Sequence, residues 1–167
     1  LIHKTNSKIN TTISVVLIFG KKTNTRVTLK DSNGSGISGG VVTYAESSWL
    51  NFGTTDANGE AAKELLPGNY QFRIAYAGYS QNQTQNIALN PEIICQTQKV
   101  TITLRDADEN GLPGGVITYA GSSWISFGIR DIHGEVSKEL LLGSYTFRMA
   151  MPGQPRINIR TWGQIPR

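Results

Sequence analysis

Residues 59–78 read GEAAKELLPGNYQFRIAYAG, and residues 134–153 read GEVSKELLLGSYTFRMAMPG. In the first copy Tyr70, Phe72, Ile74 and Tyr76 alternate with Gln71, Arg73 and Ala75 behind a Leu-Pro-Gly turn. Large apolar residues at every second position mark a strand with one face buried. What surrounds the stretch is also written twice. Sliding the chain on itself gives one register, an offset of 75 residues, ungapped from Val27–Gly78 onto Ile102–Gly153, with 28 of the 52 positions identical. Agreement of that kind along a whole unit marks a duplication rather than a shared motif.

Each unit reads as five or six short strands separated by turn residues. In the second, KVTITLRD puts Ile102 and Leu104 on one face, DENGLPGG turns, GVITYAG and WISFGIRD run extended, and EVSKELL follows DIHG. SYTFRMAM then places Tyr145, Phe147, Met149 and Met151 together with Arg148 opposite, and PRINIRTW adds Ile157 and Ile159. Strands of this length at about ten-residue spacing, without a helical period, predict an all-β fold. Two tandem immunoglobulin-like β-sandwich repeats of about 75 residues are expected, preceded by an N-terminal strand. The expected divisions are 1–24 (N-terminal strand and linker), 25–98 (first sandwich) and 99–167 (second sandwich, lacking its closing strand), with the join near 91–99.

The composition agrees. Of 167 residues 38% are hydrophobic and 17% charged, eighteen are glycine, and Thr, Ser, Asn and Gln abound, as in a soluble strand-and-turn chain. The net charge of +4 is spread over single basic residues such as Lys30, Lys63, Arg73, Arg105 and Arg148, which argues against nucleic acid as a partner. ISVVLIFG is far shorter than the roughly 20 residues that span a bilayer. The chain lacks an initiator Met, so it is read as processed or as a fragment; without a small-residue cleavage site after it, ISVVLIFG is read as a strand rather than a leader.

Catalytic signals are weak. Cys95, the one cysteine, reads as a buried apolar residue, and the two histidines, His3 and His133, stand apart from it. Asp31, Asp56, Asp106, Asp108 and Asp131 fall in turns, and no GxSxG, HExxH or phosphate-cradling glycine loop occurs. No enzyme activity and no cofactor are expected. DADENG offers Asp106, Asp108 and Asn110 at alternate positions, a spacing that suits calcium, but lacks a bidentate acid; a turn held by Asx hydrogen bonds is the preferred reading. Sequons at Asn10, Asn33 and Asn82 are candidate glycosylation sites, the last two in expected loops. Trp49 and Trp124, in the matched SSW stretches, are expected to pack in the core rather than to stack on sugars.

TTDANGEAAKELLPGNYQFRIAYAGYSQ resembles the carboxypeptidase-regulatory-like and collagen-adhesin B-type sandwich domains in its TDANG turn, its LPPGxY-like reversal and its closing Gly-Tyr. The resemblance implies a stalk, spacer or adhesin module on a bacterial surface. Pro67 presets φ for the reversal and Gly68 allows φ > 0; Leu142 replaces Pro67 in the second copy, so that turn is expected to be less rigid.

The register also exposes an asymmetry. PEIICQTQ (91–98) closes the first unit, while the second stops at Arg167, the counterpart of Glu92. Subtracting 75 instead puts Ile93 at Ile18 and Ile94 at Phe19, inside ISVVLIFG. The N-terminal strand thus holds the place of a closing strand for a unit that would precede the first. Its donor residues are Ile13, Val15, Leu17 and Phe19, and the acceptor groove is Ile102, Leu104, Tyr145, Phe147, Met149, Ile157 and Ile159. Burying four such side chains yields about 6–12 kcal/mol before ordering costs.

This plan resembles subunits of bacterial surface filaments assembled by strand complementation. It implies an extracellular homopolymer, built head to tail because donor and groove are different surfaces. The alternatives are an adhesin-type or carbohydrate-binding stalk module that does not polymerise, and an accessory domain of a hydrolase.

Overall fold

A computed structural model of the chain describes residues 20–121 and 123–150, together with the backbone of Ile157–Ile159. Every regular element among them is a strand: β1 (Thr23–Lys30), β2 (Val41–Ala45), β3 (Trp49–Thr54), β4 (Glu60–Leu65), β5 (Asn69–Tyr76), β6 (Tyr79–Asn86) and β7 (Glu92–Gln96). The second copy supplies β8 (Gln98–Thr103), β9 (Val116–Ala120), β10 (Trp124–Ile129), β11 (Glu135–Leu140), β12 (Phe147–Ala150) and β13 (Ile157–Ile159). The fold is an all-β sandwich, as expected, and no helix among the described residues is long and apolar enough to cross a membrane.

In the first copy a sheet of order β4-β1-β7 faces one of order β3-β2-β5-β6. Alternation turns Val27, Leu29, Leu65 and Ile93 of the first sheet and Val42, Phe52, Phe72 and Ile74 of the second into one core. The second copy repeats the plan with β11-β8 and β10-β9-β12-β13 around Ile117, Tyr119, Phe127, Leu140 and Phe147. Even the irregularity is copied. Phe52 and Phe127 each sit in a bulge between the two strands of their hairpin and meet Phe72 and Phe147 edge-on, at 5.6 and 5.4 Å between centroids.

Four turns share one device. Asp31, Asp56, Asp106 and Asp131 each accept, on Oδ1, the amides two and four residues on, at 2.8–2.9 Å. The turns pack in pairs through glycine. A Cβ on Gly36 would lie 2.0 Å from the Asn58 carbonyl oxygen, and one on Gly59, at φ 76°, 2.3 Å from that of Leu29.

The reversal before β5 departs from expectation. Gly68 and Gly143 do not adopt positive φ. Each instead lies against the ring of the following tyrosine: a Cβ would sit at ordinary contact distance, 3.4 Å from the Tyr70 ring and 3.6 Å from the Tyr145 ring. The Tyr70 hydroxyl donates to the Leu66 carbonyl at 3.0 Å and that of Tyr145 to the Leu141 carbonyl at 2.7 Å, so a hydroxyl latch closes each turn.

β7 leads through Thr97 straight into β8, and the two copies meet there. Glu139 accepts hydrogen bonds from Ser32 Oγ and Thr97 Oγ1, both at 2.5 Å. Leu141, 1% exposed, packs into the core of the first copy. The Tyr79 ring packs at a 45° tilt against that of Tyr145 with centroids 4.1 Å apart, and Tyr119 Oη donates to the Ala77 carbonyl at 2.6 Å.

Candidate functional site

β1 is flanked on both sides. β4 runs antiparallel along one edge, from Thr23↔Leu65 to Thr28↔Glu60, and β7 runs parallel along the other, from Arg26↔Glu92 to Lys30↔Gln96. The alternation of β7 buries Ile93 and Cys95 and leaves Ile94 55% exposed. Under that cover Val27 and Leu29 are fully buried. Cys95 Sγ also reaches Gln81 Oε1 at 3.5 Å, which places β7 across from β6.

The offset of 75 carries β1 onto β8. Among the described residues β8 pairs with β11 alone, from Gln98↔Leu140 to Thr103↔Glu135. Ile102 and Leu104, the counterparts of Val27 and Leu29, are half-buried instead of sealed. A strand edge with a row of backbone N–H and C=O groups beside half-covered apolar side chains is a template for one more strand.

The predicted groove residues fall on the two facing sheets of the second copy. Ile102 lies on β8 and Leu104 just beyond it; Phe147 and Met149 are buried on β12. Ile157 and Ile159 lie on β13, paired with Met149 and Phe147. Because β13 holds the place of β6, the position matching β7 lies between β8 and β13. Tyr145 is buried at the other end, where its ring packs against Tyr79, so it belongs to the joint between the copies. Burial first, then neighbouring Tyr79 and Tyr119, push its hydroxyl pKa well up.

The donor residues Ile13, Val15, Leu17 and Phe19 lie outside the described residues, as does the sequon at Asn10. Their exit point is described. A Cβ on Gly20 would lie 4.0 Å from Pro67 Cδ, and Thr23 pairs with Leu65, at the pole of the first copy opposite β8. From there β1 runs about 23 Å toward the joint, at about 3.3 Å per residue, ending where the Thr97 amide donates to the Lys30 carbonyl at 2.8 Å.

The remaining candidates are placed as follows. Asp106 Oδ1 holds the amides of Asp108 and Asn110 in the turn shared by all four loops, and hydrogen bonds from the Asn110 backbone, ahead of those from its side chain and Asp108, lower the Asp106 pKa. No three His, Cys, Asp or Glu side chains among the described residues converge as a metal set. Asn33 is exposed in the first of these turns. Asn82 lies in strand β6, not in a loop, with Oδ1 accepting from Arg73 Nε at 3.0 Å. Cys95 is buried, which pushes its thiol pKa up to about 11, while His133 sits exposed in its turn.

The tryptophans are not in the core. Trp49 and Trp124 are 39% and 40% exposed, with the guanidinium groups of Arg73 and Arg148 stacked on them at 4.0 and 3.8 Å from the ring centroids. Strand-start positions on the outer sheet face water, and a cation covers each ring there. Sequence reading also missed the joint residues Ser32, Tyr79, Glu139 and Leu141. Leu141 and Glu139 belong to the quoted repeat, but nothing in the repeat says which pole of one copy meets which pole of the other.

No protein-family model matches the chain, and no curated protein matches it. Solved structures similar to it include the Bacillus anthracis TIE protein, at 16% identity over 84% of this chain and 31% of that one, with a TM-score of 0.36. The shaft pilin spaA from Lactobacillus rhamnosus GG is similar at 13% identity over 83% of this chain and 93% of that one, with a TM-score of 0.33. A streptococcal ancillary pilin is similar at 14% identity over 83% of this chain and 59% of that one, with a TM-score of 0.35. The chain spans about a third of the length of the TIE protein. At TM-scores below 0.5 nothing about function passes from these proteins to this one.

Proposed function

We propose that the chain is the subunit of an extracellular or cell-surface filament, joined head to tail by the N-terminal strand of one copy lying along β8 of the next. The observation that carries this is the unequal flanking of two strands related by the repeat. β1 has β4 and β7 beside it, β8 has β11 alone among the described residues, and the repeat register of β7 recurs at residues 17–21.

Direction favours a joint between copies. A strand taking the role of β7 runs parallel to β8, with its C-terminal end at the far pole of the second copy. Gly20 lies at the far pole of the first, and the three steps from Gly20 to Thr23 span at most about 11 Å. Closing that strand onto its own β8 would require a connection along β1 and β8 together, about 40 Å. A second subunit meets no such limit.

The carbohydrate-binding form of the stalk-module alternative asks for an open aromatic face, and both candidate rings, Trp49 and Trp124, already carry an arginine. The test is removal of residues 1–19. The truncated chain is expected to remain folded by circular dichroism and monomeric by light scattering, where the full chain forms filaments. Filaments of normal length from the truncation refute the proposal.

A further inference from the structure

Resting on the filament reading, we propose that the far pole of the first copy, around Leu66 and Leu50, is a docking surface for a second copy of this chain, and that the contact between subunits repeats the contact inside each one. A cleft of about 250 Å³ opens at this pole, lined among others by Lys22, Tyr44, Leu50, Glu64, Leu66 and Tyr70. Leu50 and Leu66 are each 49% exposed.

Adding 75 to those six numbers gives Thr97, Tyr119, Ile125, Glu139, Leu141 and Tyr145. Every one of them sits at the joint between the copies. Thr97 and Glu139 share a hydrogen bond, and Leu141 is sealed in the neighbouring core. Tyr119 donates to the Ala77 carbonyl, Tyr145 packs against Tyr79, and Ile125 covers Gly78 so closely that a Cβ there would lie 2.0 Å from its Cδ1. The same surface is therefore covered at one end of the second copy and, among the described residues, left with Leu50 and Leu66 half-exposed at one end of the first. What covers it inside the chain is the far end of a copy of this same repeat.

The strand joint brings such an end to that place. β7, Thr97 and β8 form the continuous link at the inner joint. In the repeat register the segment before Gly20, then Lys22, then β1 form the same link. A strand from Gly20 laid along a neighbour's β8 seats the Leu66 pole on the neighbour's second copy as Leu141 is seated on the first. The match is not complete. Gln154 stands in the register of Tyr79, so Tyr70 gains no ring partner there, and Ala107 stands where Ser32 donates to Glu139, so Glu64 gains no hydroxyl; the apolar contact of Leu66 and Leu50 carries the pole.

Leu66→Asp and Leu50→Asp in the full chain are expected to raise the concentration needed for assembly at least tenfold, read by sedimentation and electron microscopy. Their melting curves as monomers, at concentrations below assembly, should match wild type. Assembly at wild-type concentration overturns the docking surface. As an independent measurement, a chain carrying Glu64→Cys and Ala107→Cys, treated with a short bis-maleimide, is expected to give a ladder of linked subunits from assembled material. Filaments without a ladder also overturn it. The 1–19 deletion separates the two proposals: if it polymerises, the strand joint fails; if it stays monomeric while Leu66→Asp assembles normally, the docking surface alone fails. A full chain that never assembles refutes both.

Discussion

Tyr70 and Tyr145 perform one task in two environments. Each hydroxyl donates to the carbonyl four residues back, closing the turn that sets the first core residue of the next strand. Removing the hydroxyl keeps the ring and leaves a carbonyl without its donor, at about 1 kcal/mol or somewhat more where water cannot replace it. The Tyr145 bond is buried and 2.7 Å long, while that of Tyr70 is partly buried at 3.0 Å. Tyr145→Phe is therefore expected to cost about 1–2 kcal/mol in urea unfolding, and Tyr70→Phe about 1 kcal/mol or less; the reverse order would mean that the latch is not what the hydroxyls supply. The residue scale is also where sequence reading misplaced a side chain. SSW looked like the start of a buried strand, yet an arginine lies across the same outer sheet face and covers each tryptophan. That stacking depends on the pairing of β2 with β5, which composition does not reveal.

At the scale of strands, legibility follows burial. β5, β7, β9 and β12 alternate because one face of each is sealed; β5 and β12 were visible as period-two patterns, β7 as an apolar closing run and β9 as an extended stretch. β6 was not. Its sequence, YSQNQTQN, is polar because it is the edge of its sheet, and it is held by pairing with β5 along all eight residues, so Asn82 passed for a loop residue. The donor segment poses the matching question of which face turns inward. Strict use of the offset sets Ile18 at the place of buried Ile93 and Phe19 at that of exposed Ile94, with Gly20 at Cys95. A shift of one residue turns Leu17 and Phe19 inward against Ile102 and Leu104 and buries two large side chains instead of one, worth about 1.5–3 kcal/mol more. Leu17→Asp is accordingly expected to abolish assembly and Ile18→Asp to weaken it little, read by pelleting. The opposite ranking would establish the strict register.

For the whole molecule, the offset of 75 aligns β8 with β1, and among the described residues β8 is flanked by β11 alone where β1 has β4 and β7. The joint between copies was not legible, since it depends on which pole meets which. Among the described residues, Leu50 and Leu66 are half-exposed at one pole of the first copy and β8 is paired along one edge alone in the second. Occupying the other edge of β8 should stabilise the protein in a measurable way. A ligand that binds the folded state alone adds RT ln(1 + [L]/Kd), about 2.7 kcal/mol at a hundredfold excess over Kd. A peptide of residues 10–22 added to the chain lacking residues 1–19 is expected to bind one to one and to raise its melting temperature by several degrees at that excess. Ile102 and Leu104 become sealed as Val27 and Leu29 already are. The same peptide with Leu17 and Phe19 replaced by Asp should leave the melting temperature unchanged, because an acidic face cannot cover that half of the core. A shift of equal size from both peptides would place the binding somewhere other than the edge of β8.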